Sequence, residues 1–147
     1  MARLPRFREE NRPYFVTTAT TGRLPIFEDY QNAEMMVIVL ADTRARYGFH
    51  LLGYVVMPDH LHAVIVPAAR NDISQVMRYI KGRYARLHNE RHRSAGPVWQ
   101  PSFYDRAVRD QHALNEILPY IFANPVRRGL VQTPEDFPFS SAAGACE

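Results

Sequence analysis

Leu51-Leu52-Gly53-Tyr54-Val55-Val56 and His60-Leu61-His62-Ala63-Val64-Ile65-Val66 are two short apolar runs, and Met57-Pro58-Asp59 stands between them. Both runs are rich in β-branched residues, and proline followed by aspartate marks a turn, so the stretch predicts a β-hairpin. Side chains alternate between faces along a strand, which puts the imidazoles of His60 and His62 on one face. Outward from the hairpin, Pro13-Tyr14-Phe15-Val16-Thr17-Thr18-Ala19-Thr20 reads as a first strand, followed by a loop over Thr21-Gly22-Arg23-Leu24-Pro25. Between about Tyr30 and Tyr47, Ala33, Met36, Val37 and Leu40 recur at helical spacing, and Gly48 is the stop.

Downstream, Asp72 and Gln75 form a capping-box pattern ahead of a helix from Ile73 to Asn89. Its apolar stripe is Ile73, Val76, Met77, Ile80, Tyr84 and Leu87, and Arg91 to Pro97 read as a loop. Phe103-Tyr104-Asp105-Arg106-Ala107-Val108-Arg109 alternates as a fourth strand. Asp110 then caps a last helix with Leu114, Ile117, Leu118 and Ile121 in its stripe. Pro119 should kink that helix and Pro125 should end or bend it. From Val131 on, the tail reads as an extended arm packed on the body. The order β-α-β-β-α-β-α predicts an α+β fold, a ferredoxin-like (RRM-like) sandwich with an antiparallel sheet and its helices on one face. That architecture hosts many functions, so chemistry must be argued from the residues.

The chain has 147 residues and a mass of 17.0 kDa, which suits one domain over residues 1–147. With 46% hydrophobic and 22% charged residues it is neither disordered nor of low complexity. The single cysteine, Cys146, excludes an internal disulfide and a cysteine-based zinc knuckle. No apolar run approaches the roughly 18 residues of a membrane span. The basic start Met1-Ala2-Arg3-Leu4-Pro5-Arg6-Phe7-Arg8 lacks the apolar stretch of a signal peptide, so a cytoplasmic protein without a membrane partner is expected.

Charge is distributed unevenly. Residues 1–69 carry seven basic and seven acidic side chains, whereas residues 70–128 carry eleven basic and five acidic ones. A contiguous basic excess is the footprint of a polyanionic partner, most often nucleic acid. Lys81 is the only lysine, and arginine binds phosphate and guanine bidentately. Arg78, Lys81, Arg83 and Arg86 fall off the apolar stripe of their helix and give it a basic face suited to a DNA backbone. Arg106, Arg109, Arg127 and Arg128 are further candidates for DNA binding. Tyr104 offers a ring for an unpaired base, whereas Phe103 and Trp99 read better as packing.

A His-x-His pair can ligate a divalent metal but is a weak signal alone, since histidines at a strand end also occur as plain surface. Tyr120 and Asn124 stand at i and i+4 beside the apolar stripe of the last helix. Beside a metal, a tyrosine hydroxyl can attack a phosphodiester and an amide oxygen can serve as a ligand. The same two residues also fit a core-topping ring and a helix cap.

Three ordered runs carry a resemblance: Gly53 to His62, Trp99-Gln100-Pro101-Ser102-Phe103-Tyr104-Asp105-Arg106-Ala107-Val108-Arg109, and Tyr120-Ile121-Phe122-Ala123-Asn124-Pro125-Val126-Arg127-Arg128-Gly129-Leu130-Val131. From the first strand to Pro138-Phe139-Ser140 the chain resembles single-tyrosine transposases of the IS200-like type, with a His-hydrophobic-His motif. Within them it is similar to the subgroup associated with repetitive extragenic palindromes (REP). The resemblance implies a ferredoxin-like fold and cleavage of single-stranded DNA beside hairpins through a 5′-phosphotyrosine, leaving a free 3′-hydroxyl. It implies His60 and His62 as ligands of Mg²⁺ or Mn²⁺ and Tyr120 as nucleophile. Asn124 stands where insertion-sequence members use Gln as third ligand, one methylene shorter, and Asp59 stands where Asn is common. Members often act as homodimers. A non-catalytic nucleic-acid-binding module on the same scaffold is the alternative, but it would not need His60, His62 and Tyr120 together. A small-molecule metal hydrolase would need more His and Asp ligands around His62 than the aliphatic neighbours supply.

Overall fold

A computed structural model describes residues 12–143, so Cys146 and the basic first residues lie outside it. The hairpin forms where its turn chemistry puts it. β2 (His50–Met57) and β3 (His60–Val66) run antiparallel from His50 opposite Val66 to Met57 opposite His60, with a bulge between Leu51 and Gly53. β1 (Tyr14–Ala19) pairs antiparallel with β3, and β4 (Tyr104–Ala107) pairs antiparallel with β1, giving the spatial order β2-β3-β1-β4.

Local chemistry sets the helix bounds. α1 (Tyr30–Tyr47) starts where the Asp29 carboxylate accepts from the backbone N–H groups of Gln31 and Asn32, and it stops at Gly48, whose φ of 73° favours glycine. α2 (Ile73–His92) opens on a reciprocal capping box between Asp72 and Gln75. It runs beyond Asn89 into the stretch that reads as a loop, because Arg93 adopts the left-handed closing conformation with no glycine to mark it. α3 (Gln111–Phe122) is capped by Asp110 and passes through Pro119. The break falls at Ala123, so Asn124 opens a short separate helix, α4 (Asn124–Arg127).

The helices do not all lie on one face, which corrects the expectation from the sequence. Val16, Leu61, Ala63 and Ile65 share a core with Met36 and Leu40 of α1 and with Val76, Met77 and Ile80 of α2. Phe15, Val55, Met57 and Val64 project the other way and share a second core with Leu114, Ile117 and Ile121 of α3. The reason is visible in the strands: β2 and β3 are apolar at both parities, so each face needs cover. Burying each such aliphatic side chain stabilises the fold by about 1.5–3 kcal/mol. Gly53 permits the close approach of α3, since a Cβ there would lie 2.7 Å from Leu118 Cδ2 and 3.1 Å from Phe122 Cζ.

The tail packs as expected. Val56 N–H donates to the Phe139 carbonyl at 2.8 Å, Ser140 bridges Val55, and the Tyr54 N–H donates to Ser141 Oγ at 3.0 Å, so a strap covers the outer edge of β2. Trp99 is buried with its indole N–H on the Lys81 carbonyl, in keeping with a packing role. No helix among the described residues is long and apolar enough to cross a membrane.

Candidate active site

His60 and His62 project from β3 toward the α3 layer, and their Nε2 atoms are 3.1 Å apart with the rings at 77°. Each ring is fixed from behind. His60 Nδ1 lies 2.7 Å from Asp59 Oδ1, and His62 Nδ1 lies 2.8 Å from Thr17 Oγ1 on the neighbouring strand. A carboxylate can only accept, so His60 carries its proton on Nδ1 and its Nε2 is the acceptor in the 3.1 Å contact with His62. The donor is then His62 Nε2–H, and the Thr17 hydroxyl donates to His62 Nδ1, so both Nε2 atoms face one point, where a cation would take the place of the shared hydrogen. Two nitrogens about 2.1 Å from one cation at right angles would be about 3.0 Å apart, close to the separation here.

The imidazoles are held neutral, as ligation requires. Burial lowers the His62 pKa first, and the charges of His60, Arg127, Arg23 and Arg128 add to it, pushing it down to about 3. Burial also lowers His60, against the opposing pull of Asp59. Burial acts to raise Asp59, but the hydrogen bond from His60 and the charges of His60, Arg23 and Arg128 hold its carboxyl below its ordinary value.

Tyr120 stands exposed on α3 and lines a groove of about 690 Å³ together with Phe15, Arg106 and Arg109. The Phe15 ring lies 5.6 Å from that of His62, so groove and histidine pair adjoin. Arg127 stacks its guanidinium 4.3 Å from the Tyr120 ring centroid and donates to the Tyr120 carbonyl, while its charge also acts on His62. Arg128 reaches within 4.0 Å of Asp59 Oδ1. Asn124 is 8% exposed at the start of α4, one helical turn after Tyr120 and across Ala123, whose backbone stays right-handed helical. No group of three or more His, Cys, Asp or Glu gathers as a metal centre among the described residues.

The remaining cations are elsewhere. Arg78, Arg83 and Arg86 line a groove between α1 and α2 on the opposite face of the sheet, where Arg83 lies 3.7 Å from Asp42. The Lys81 ammonium is spent on the carbonyls of Gln100 and Ser102. Three residues at the site have no role in the sequence reading: Thr17, Asp59 as a partner of His60, and Arg23, which lies 3.9 Å from Asp59. Adjacency could have pointed to Asp59. Thr17 and Arg23 need the strand register and the turn geometry.

The chain belongs to the IS200-like transposases: the family model "Transposase IS200 like" matches residues 11–124, which include His60, His62, Tyr120 and Asn124. It is similar to the REP-associated tyrosine transposase of Escherichia coli, with 31% identity over 94 residues, covering 63% of this chain and 54% of that protein. A candidate REP-associated tyrosine transposase of Haemophilus influenzae is 30% identical over 111 residues, covering 67% of this chain and 62% of the relative. The chain thus spans between about half and two thirds of the length of these relatives. A solved structure of a REP-associated tyrosine transposase bound to a REP hairpin superposes with a TM-score of 0.76 at 24% identity, covering 98% of this chain and 84% of the other. That likeness establishes the shared fold.

Proposed function

We propose that this chain is a divalent-metal-dependent, single-strand DNA endonuclease and strand transferase that acts beside hairpins, with Tyr120 as nucleophile. The observation that carries the reading is the convergence of His60 and His62 Nε2 at 3.1 Å on the face where α3 presents Tyr120. The relatives named for REP-associated transposition, and the related protein bound to a REP hairpin, support hairpin-bearing DNA as the partner.

His60 and His62 would hold Mg²⁺ or Mn²⁺, with the Asn124 amide oxygen as the candidate third ligand, and imidazole donors favour Mn²⁺. When bound, the cation supplies Lewis-acid polarisation of the scissile phosphate. Asp59 and Thr17 would keep both Nε2 atoms aimed at that cation. The Tyr120 oxygen attacks phosphorus, the P–O3′ bond breaks, and the phenol proton passes to the leaving 3′-oxygen. The strand keeps a free 3′-hydroxyl and the enzyme a 5′-phosphotyrosine. Arg127, over the Tyr120 ring, stabilises negative charge growing on the phenol oxygen. Arg106 and Arg109 line the groove along which the strand would pass.

The test is incubation of the protein with labelled hairpin-bearing single strands and Mn²⁺, followed by a denaturing gel. A covalent adduct that disappears with EDTA and with His60→Ala or His62→Ala is expected. Strand binding without any adduct would leave only the non-catalytic binding module. Full cleavage in EDTA would remove the metal.

A further inference from the structure

Two guanidinium groups from distant parts of the chain flank a single carboxylate at the edge of the histidine pair. Arg23, in the 3₁₀ turn Thr21–Arg23 after β1, brings Nε to 3.9 Å from Asp59 Oδ2. Arg128, just after α4, brings Nη2 to 4.0 Å from Asp59 Oδ1. Neither distance is that of a hydrogen-bonded fork, and the two side chains are 54% and 53% exposed, so most of their N–H donors are open to a second anion. Asp59 is meanwhile engaged by His60 at 2.7 Å. Arg127 adds a third guanidinium, and the charges of all three act on His62. Around two neutral imidazoles there are then three guanidinium groups against two carboxylates, Asp59 and Glu28, the latter lining one pocket with Asp59 and Arg128, and the balance stays positive, as a polyanion requires.

The backbone at Arg23 adds an independent observation. Its φ is 56°, following Gly22 at 59°, a conformation that residues other than glycine rarely adopt. The turn is pinned to the hairpin through Thr20, whose N–H donates to the Asp59 carbonyl at 3.0 Å and whose hydroxyl donates to the Leu24 carbonyl at 2.7 Å. Glycine would fit position 23 with less strain, and the long cation there is aimed at the site. Unlike Arg93, which closes a helix in the same conformation, Arg23 ends no long helix, and its side chain is turned to Asp59.

We propose that Arg23, together with Arg128, grips a phosphodiester of the bound strand on the Asp59 side of the histidine pair and so sets which phosphate is presented to Tyr120. Arg127 serves the opposite, nucleophile end, stacked on the Tyr120 ring. Holding the strand at both ends fixes its register along the site, and a grip on the sugar–phosphate backbone does this without reading sequence. The assignment rests on the strand-cleavage reading above, but its binding readout is separate from it.

The experiment uses Arg23→Gly, which relieves the left-handed backbone and therefore keeps the fold, with Arg23→Lys as the charge-retaining control. Affinity for a short single-stranded oligonucleotide, measured by fluorescence anisotropy in EDTA across a salt series, should fall about tenfold for Arg23→Gly. With one phosphate fewer neutralised, the log–log salt slope should flatten by about 0.7. Arg23→Lys should restore the slope. In Mn²⁺, cleavage by Arg23→Gly should spread from one phosphate to its neighbours, while melting temperature stays at or above that of the parent. Unchanged affinity, slope and cleavage position in a folded Arg23→Gly variant would overturn the proposal. An absent adduct in the parent protein, with the slope difference intact, would overturn the cleavage reading and leave the phosphate grip standing.

Discussion

Thr17 Oγ1 lies 2.8 Å from Nδ1 of His62, across a ladder in which the two residues are direct partners. A hydroxyl on one strand thus fixes the orientation of an imidazole on the next, and through it the direction of Nε2. Such orienting partners typically contribute about 10–100-fold to metal affinity. Thr17→Val keeps the β-branched shape and removes the hydroxyl. Its Mn²⁺ affinity by titration calorimetry should fall within that range while its melting temperature changes little. An equal affinity would mean that packing alone orients the ring.

Tyr120→Phe should abolish the covalent adduct and leave DNA binding nearly intact. The ring and its stacking with Arg127 survive, and only the attacking oxygen is removed. Adduct formation near the parent rate would move the nucleophile elsewhere. Tyr104, exposed on β4 opposite Thr17, would be the next residue to test.

Metal-free stability should fall as the solution is acidified from about pH 7.5 to about 5.5. His62 titrates near 6.5 in the unfolded chain and at about 3 in the folded one, so the unfolded state binds more protons in this interval. Its contribution is complete above about 6.5 and declines as pH falls toward the folded value, with a limiting slope of about 1.4 kcal/mol per pH unit. Denaturant melts in EDTA should show the decline, and His62→Gln should make it shallower. Parallel profiles would assign the decline to other groups.

Gly53→Ala should destabilise the fold by about 1–3 kcal/mol and slow adduct formation. The added Cβ would push on Leu118 and Phe122, and α3 carries Tyr120 on the same body. Urea melts and single-turnover adduct rates measured together test both effects. A normal melt with a normal rate would show that α3 yields freely at this point.

The hairpin, the N-caps of α2 and α3 and the histidine pair are legible because each depends on residues close in sequence: Pro58 beside Asp59, Asp72 with Gln75, Asp110 just ahead of its apolar stripe, and His60 two from His62. The end of α1 follows for the same reason, with Gly48 as its stop. What is not legible depends on distance. A stripe on α3 identifies an apolar side but not which face of the sheet it meets, so the sequence alone puts α3 in the same layer as the other helices. Position 81 reads as a free cation on a basic face, whereas the folded chain uses Lys81 to hold the 100–102 loop. Thr17 gains its role only from the β1–β3 register, and Arg23 only from a turn in which two left-handed residues follow each other.

The two-residue period of β3 governs how this site can be destroyed. His60 and His62 share their strand with Leu61, Ala63 and Ile65, which fill the opposite core. A one-residue slip of β3 against β1 and β2 would invert its parity and exchange the two sets. Both imidazoles would then enter the dry layer beneath α1 and α2, and three aliphatic groups would occupy the place of the histidine pair. No half-shifted arrangement preserves part of the chemistry. A register slip of this strand is therefore an all-or-none event, removing the core and the paired imidazoles in one step, whereas point changes around the groove act one contact at a time.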